Sequence, residues 1–240
     1  MTRVLRHQSA DEMTEAAARR LLDRLIALQQ EQETVHLCLA GGTTALRVYD
    51  AFADLAPESG LQPGKLTLWW GDEKYVPPTD AERNSLQSLA VLARTLPINV
   101  SQTHPIPAPT GSDDPSEAAF AYAQELGDVT FDICLLGMGA DGHVAALFPH
   151  SPALEAAGLA YGVTDAPVEP AERVTLTLNA INRSKSVWLF VEGEAKVEAL
   201  RSALAGDPDL PASHVRGTDE TLWFIDPAAS GDLPSFRCAF

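Results

Sequence analysis

The chain has 240 residues, 45% of them hydrophobic and 21% charged, and a formal charge of −16 at pH 7. Those proportions fit a soluble globular protein with a sizeable core and exclude disorder as the default. The charge argues against a nucleic-acid partner, whose phosphates are gripped by clustered Lys and Arg, so any anionic ligand must rely on a few local cations.

The opening stretch has no apolar core of the signal-peptide kind, and no apolar run of about 18 residues occurs, so no membrane segment is expected. Cys38, Cys134 and Cys238 form no short metal-ligand spacing, and the first two sit inside apolar runs as small hydrophobes. A reducing, cytoplasmic location follows as the expectation.

In chain order, residues 9–32 read as a helix, with Ser9 and Glu12 forming a capping box. "VHLCLAGG" (35–42) reads as a buried strand and "TTALRVYDAFADLA" (43–56) as a helix stopped by Pro57. "KLTLWWGDEKYVP" (65–77) gives a strand and a loop, and "NSLQSLAVLARTL" (84–96) a helix capped near Asn84 or Ser85. "THPIPAP" (103–109) is extended. The Pro, Gly, Ser and Asp cluster at 105–116 is a surface loop and not a linker, because a helix (116–127) and the strand "FDICLLG" (131–137) resume the alternation. Then come "RVTLTL" (173–178, strand), "NAINRSK" (179–185, helix), "SVWLFVEG" (186–193, strand), "EAKVEALRSALAG" (194–206, helix) and "TLWFID" (221–226, strand). Apolar strands alternating with helices predict one α/β domain over 1–240, a doubly wound and mainly parallel sheet covered on both faces.

Ligands of such sheets bind outside the carboxyl ends of the strands, so four loops become candidates. Gly41, Gly42, Thr43 and Thr44 join a strand to a helix, where free N–H groups, the helix dipole and two hydroxyls suit a phosphate. The same residues also suit a plain tight turn with Thr43 as N-cap. The turn is neither a Lys-containing P-loop nor a three-glycine dinucleotide fingerprint, so no nucleotide cofactor is expected. Arg173 and Lys196 lie where a later strand and helix begin, one offering a fork and the other a point charge to phosphate. Asp72, Glu73, Lys74 and Arg83 fall in a charged loop that is either an exposed face or the mouth of the sheet.

In "GMGADGHVAALFP", His143 follows the central strand with Asp141 two positions before it. It reads either as a helix-cap or core histidine, or as a general base oriented by the carboxylate. The other histidines make no metal-binding spacing, so no metal is expected. Neither Ser151 nor Cys134 has the setting of a nucleophile. The residues so far fit water addition to an activated carbonyl or proton transfer on a sugar phosphate.

"LAGGTTALRVYDAFA", "WWGDEKYVPPTDAERNS", "LLGMGADGHVAALFP", "ERVTLTLNAINRSKSVWLFVEGEAKVEAL" and "LPASHV" together resemble the 6-phosphogluconolactonase family, in the same order over about residues 35–215. The resemblance implies a Rossmann-like fold of the sugar-phosphate isomerase type and cofactor-free hydrolysis of a sugar-phosphate lactone. It places the phosphate at Gly41 to Thr44 with Arg173 and Lys196 nearby, makes His143 the base and has Asp141 hold the ring. Where the family commonly has Asp-Glu-Arg this chain has Asp72, Glu73 and Lys74, which makes Arg83 the candidate for the missing guanidinium. Amino-sugar phosphate isomerase-deaminases are similar at Asp-Gly-His but continue with Phe-Asn-Glu-Pro, whereas this chain continues "VAALFPH". A non-catalytic sugar-phosphate-binding module would also fit the fold, but there is no room before residue 35 for a regulator's DNA-binding domain. A monomer is expected.

Overall fold

The computed structural model describes residues 1–111, 114–231 and 233. Part of the Pro/Gly loop, at 112 and 113, and Cys238 lie outside them. The described elements are β1 (Thr2–Arg6), α1 (Ala10–Glu31), β2 (Val35–Leu39), α2 (Thr43–Leu55), β3 (Leu66–Trp70), β4 (Asp72–Lys74), α3 (Asn84–Leu92), β5 (Thr103–His104), α4 (Pro115–Leu126), β6 (Ile133–Gly137), β7 (Ala160–Val163), β8 (Arg173–Leu176), α5 (Leu178–Asn182), β9 (Ser186–Val191), α6 (Val197–Ala205), α7 (Pro211–His214), β10 (Glu220–Ile225) and α8 (Pro227–Ser230). α1 starts at its predicted cap, where Ser9 Oγ accepts from the Glu12 N–H, while the Glu12 carboxylate reaches back to the N–H of Gln8, one residue before the cap.

Seven strands form one sheet in the order β1-β10-β9-β6-β2-β3-β5. Every pairing in it is parallel. β3 and β9 are buried along their whole length, as strands covered on both faces must be. Crossovers from β1, β2 and β3 run toward β5, whereas those from β5, β6 and β9 run the other way. With right-handed connections this puts α1, α2 and α3 on one face and α4 and α6 on the other. The direction reverses between β2 and β6, so the crevice opens at the carboxyl ends of those two strands.

Several elements depart from the sequence reading, which also had no β7, α7 or α8. β8 belongs not to the main sheet but to a small antiparallel one, ordered β4-β8-β7. Its apolar residues Val174 and Leu176 alternate with Thr175, the pattern of an antiparallel strand and not the unbroken apolar run of a central parallel one. β4, read as loop, pairs with β8 in the register Asp72↔Thr175, Glu73↔Val174, Lys74↔Arg173. β1 was not foreseen; it adds an edge to β10 through a strand whose burial alternates.

Where the ladder ends, two buried tyrosines replace it. The Tyr49 hydroxyl accepts from the N–H of Ala40 at 2.8 Å and donates to the same residue's C=O at 2.9 Å. The Tyr122 hydroxyl does the same for Trp70, at 3.0 and 2.9 Å. Both backbones sit one residue before the glycines that open the cleft, Gly41 and Gly71. Tyr49→Phe strips partners from a buried donor and a buried acceptor at once, a loss of about 1–3 kcal/mol for each group left unsatisfied. The expected drop in Tm is about 2–4 °C per kcal/mol for a chain of this size, measured by calorimetry. Tyr122→Phe should behave alike. Wild-type Tm in both variants would show that the strand ends find other partners.

Candidate active site

A cleft of about 640 Å³ lies at the carboxyl ends of β2, β3, β6 and β9. Its lining includes Gly41, Gly42, Thr43, Thr44, Asp72, Lys74, His143, Arg173 and Lys196, all foreseen from the sequence, together with Asn84, Gln87 and Glu192, which were not.

The loop after β6 is short and tightly bonded. Gly139 donates to the C=O of His143 at 2.9 Å, and Val144 and Leu147 bond each other in a tight turn. Thus "VAAL" is a turn, with Ala145 at φ 50° on the cleft wall. His143 therefore caps no helix. Its ring lies over Gly139, where any Cβ would overlap Nδ1 and Cε1, and packs at 4.7 Å on Phe148. Asp141 Oδ1 accepts from the His143 N–H at 3.1 Å and meets Nδ1 at 2.6 Å.

Those contacts settle the ring's chemistry. Partial burial raises the Asp141 carboxyl, but the neighbouring His143 ring and N–H lower it more, and the net displacement is below the ordinary value. An ionised Asp141 requires the proton on Nδ1, which leaves the Nε2 lone pair to the cleft in the neutral ring. Burial pushes the His143 pKa below 6.5; Asp141 pulls it up, and Lys196 and Arg173 push it down again. The net displacement is downward, which favours the neutral ring.

The opposite wall is built by α2. Gly42 is its N-cap, without a side-chain cap, and no acid occupies the first turn. The N–H groups at its head therefore face the cleft as free donors among the described residues. Gly41 is held tightly from above: the Asn84 side chain lies where its Cβ would be. Asn84 in turn donates to the C=O of Asp72 at 3.0 Å.

Alternation along β4 sends Asp72 and Lys74 to the cleft and Glu73 to the other side. Glu73 is buried and accepts from the N–H groups of Asn84 at 2.6 Å and Ser85 at 2.9 Å, which makes it the cap of α3 from a distant strand. The sequence placed the cap near Asn84 or Ser85 themselves; the helix instead borrows a carboxylate. Asp72 remains, buried, with its carboxyl pushed up to about 6 by desolvation and by the charge of Glu73, against the pull of Arg173, Asn84 and Lys74. The β4–β8 register puts Lys74 and Arg173 opposite each other. Such like charges are tolerable because Lys74 Nζ is paired with Glu82, and the Arg173 guanidinium donates to the carbonyls of Pro170 at 3.2 Å and Val168 at 3.1 Å. Lys196 closes the 3-10 turn Glu194–Lys196 after β9, and its ammonium makes no hydrogen bond to the described residues; desolvation lowers its pKa and Asp141 raises it.

Arg83 corrects the sequence reading. Its side chain is 4% exposed, donates to the carbonyls of Val76 at 3.2 Å and Ile106 at 2.5 Å, and lies 3.6 Å from Glu73. It does not line the cleft, so it cannot supply the guanidinium that position 74 lacks. Its place in a charged loop carried no sign that the loop folds back over it. Among the described residues, no three His, Cys, Asp or Glu side chains gather as a metal site, and no helix is long and apolar enough to cross a membrane.

Residues 8–223 match the family model described as glucosamine-6-phosphate isomerases/6-phosphogluconolactonase. The chain is 39% identical to a 6-phosphogluconolactonase of Mycobacterium tuberculosis over 94% of this chain and 96% of that one. It is 37% identical to one of Streptomyces coelicolor over 95% of this chain and 93% of its relative. Among solved structures, that of 6-phosphogluconolactonase from Thermotoga maritima superposes with a TM-score of 0.84 at 27% identity, covering 94% of this chain and 100% of that one. With a cleft at the β2/β6 switch point, a histidine tied to a carboxylate and a match along nearly its whole length, the chain belongs to the glucosamine-6-phosphate isomerase/6-phosphogluconolactonase family.

Proposed function

We infer that the chain hydrolyses 6-phospho-D-glucono-1,5-lactone to 6-phospho-D-gluconate, the lactonase step of the oxidative pentose phosphate pathway (EC 3.1.1.31). The observation that carries a mechanism is the fixed ring of His143, whose Nδ1 is held 2.6 Å from Asp141 and which lines a cleft that also holds Arg173 and Lys196. Nε2 takes a proton from water as its oxygen attacks the lactone C1. The tetrahedral intermediate collapses, the bond from C1 to the ring oxygen breaks, and the histidinium returns the proton to that oxygen. No covalent intermediate, metal or nucleotide enters this scheme.

The substrate phosphate sits at the head of α2, on the N–H groups and hydroxyls of Thr43 and Thr44, with Gly41 and Gly42 allowing close approach and Arg173 and Lys196 facing it. Asp72, its carboxyl pushed up to about 6 by burial, is placed to bond sugar hydroxyls, and Lys74 adds charge beside it. An isomerase-deaminase would have its ring-opening acid at the third residue after the histidine. Ala146 stands there, fully buried with its N–H on Thr175 Oγ1. The whole chain is taken as one domain working as a monomer in the cytoplasm, with no nucleic-acid partner.

A coupled assay that makes the lactone in situ and subtracts its spontaneous opening tests the activity. His143→Ala should cost about 10²–10⁴-fold in kcat/KM. In the wild type the rate should fall as pH drops through the lowered His143 pKa, so the acid limb lies below 6.5. Asp141→Asn removes the charge that raises that pKa, so its acid limb should move further down as its plateau falls. An unmoved or raised limb would mean that Asp141 does not set the ring's protonation.

Arg173→Ala and Lys196→Ala should each raise KM about tenfold with little change in kcat, because a phosphate contact is equal in ground and transition states. Unphosphorylated gluconolactone should be a poor substrate and insensitive to both changes. Unaltered KM in both variants would move the phosphate elsewhere.

A further inference from the structure

Glu192, the residue after β9, is unused by the mechanism above and yet stands in the phosphate end of the cleft. Its Oε2 accepts from the Thr44 hydroxyl at 2.9 Å, and its Oε1 is paired with Arg47 Nη1. Arg47 Nη2 is anchored to Asp11 Oδ1 at 2.7 Å. Thr44 and Arg47 are three positions apart on α2, so they present a hydroxyl and a guanidinium from one face of its first turns.

This arrangement is that of an anion bound at a helix N-terminus. α2 has no acid of its own in its first turn, and the carboxylate arrives from β9 instead. A carboxylate and a phosphate both offer paired oxygens to a hydroxyl and a guanidinium fork. The two anions compete for the same donors and repel each other in a cleft partly shielded from solvent, where the Glu192 side chain is 23% exposed.

We propose that Glu192 is an intramolecular stand-in for the substrate phosphate: it holds Thr44 and Arg47 in the free enzyme, where Arg47 stands behind it and outside the cleft lining, and when phosphate reaches the head of α2 it yields both, which brings Arg47 onto the ligand. The proposal rests on the reading that the phosphate binds there. Displacing Glu192 lowers affinity for every phosphorylated ligand, which sets KM and eases release of 6-phosphogluconate.

The test measures the inhibition constant of inorganic phosphate and of 6-phosphogluconate, and KM for the phosphorylated lactone, on the full chain. Glu192→Gln and Glu192→Ala should both tighten binding, on the order of threefold to tenfold. Arg47→Met placed in the Glu192→Gln background should abolish that gain, since Arg47 then touches the ligand alone. Weaker or unchanged binding in both Glu192 variants, with Lys196→Ala still weakening it, would make Glu192 a positioning residue for Thr44 and Arg47 and overturn the proposal. If Lys196→Ala and Arg173→Ala leave phosphate inhibition unchanged, the phosphate lies elsewhere and both the reading and the proposal fall. Loss of the gain without Arg47, but not with it, is the signature of displacement.

Discussion

A parallel sheet delivers the carboxyl ends of all its strands to one edge, and there the ladder must part if a ligand is to enter. Parting leaves N–H and C=O groups in the apolar interior without strand partners, at a cost of about 1–3 kcal/mol each. Tyr49 and Tyr122 meet this constraint with single hydroxyls that both accept from and donate to the residue before Gly41 and Gly71. Burial raises the pKa of both phenols above the ordinary value of 10, so the hydroxyls stay protonated and can keep both roles. The glycine loops beyond are then free to be shaped by the site, with Asn84 packed on Gly41.

On this frame the chain solves a problem set by its charge. With a formal charge of −16 it must present local positive potential to an anion. Most nearby cations are already spent: Lys74 on Glu82, Arg83 on carbonyls and Glu73, and Arg47 on Glu192 and Asp11. Arg173 and Lys196 line the cleft, and burial, reinforced by their charges, lowers the His143 pKa against the pull of Asp141. On the proposed reading, a phosphate bound there would offset the two cations and favour the imidazolium as water attacks.

The strand ends and their loops were legible because glycines and polar residues interrupt apolar runs there, and the switch-point rule turns such interruptions into a site. His143 with Asp141, the Gly41 to Thr44 turn and Lys196 were picked out this way, and Arg173 as a cation at the start of a strand; His143, Gly41 to Thr44, Arg173 and Lys196 line one cleft. What stayed hidden depends on pairing across long sequence distances. Glu73 looks like one more acid in a charged loop until β4 alternation turns it beneath α3, and Arg83 looks exposed until the loop buries it. Glu192 reads as the solvated end of a strand, since nothing local ties it to Thr44 and Arg47, about 150 positions earlier. β8 could have been told from the central strands by its alternating pattern, a signal present in "RVTLTL" and outweighed by its apolar content.

The account turns on which nitrogen of His143 carries the proton. The most direct measurement is a ¹⁵N-resolved histidine-ring NMR spectrum of the free enzyme, assigned by comparison with His143→Ala and followed from neutral pH downward. The account predicts a neutral ring protonated on Nδ1, with Nε2 bare and protonating only below the ordinary imidazole value of 6.5. A ring protonated on Nε2, or an imidazolium already formed at neutral pH, would contradict it, because neither could take a proton from water in this cleft.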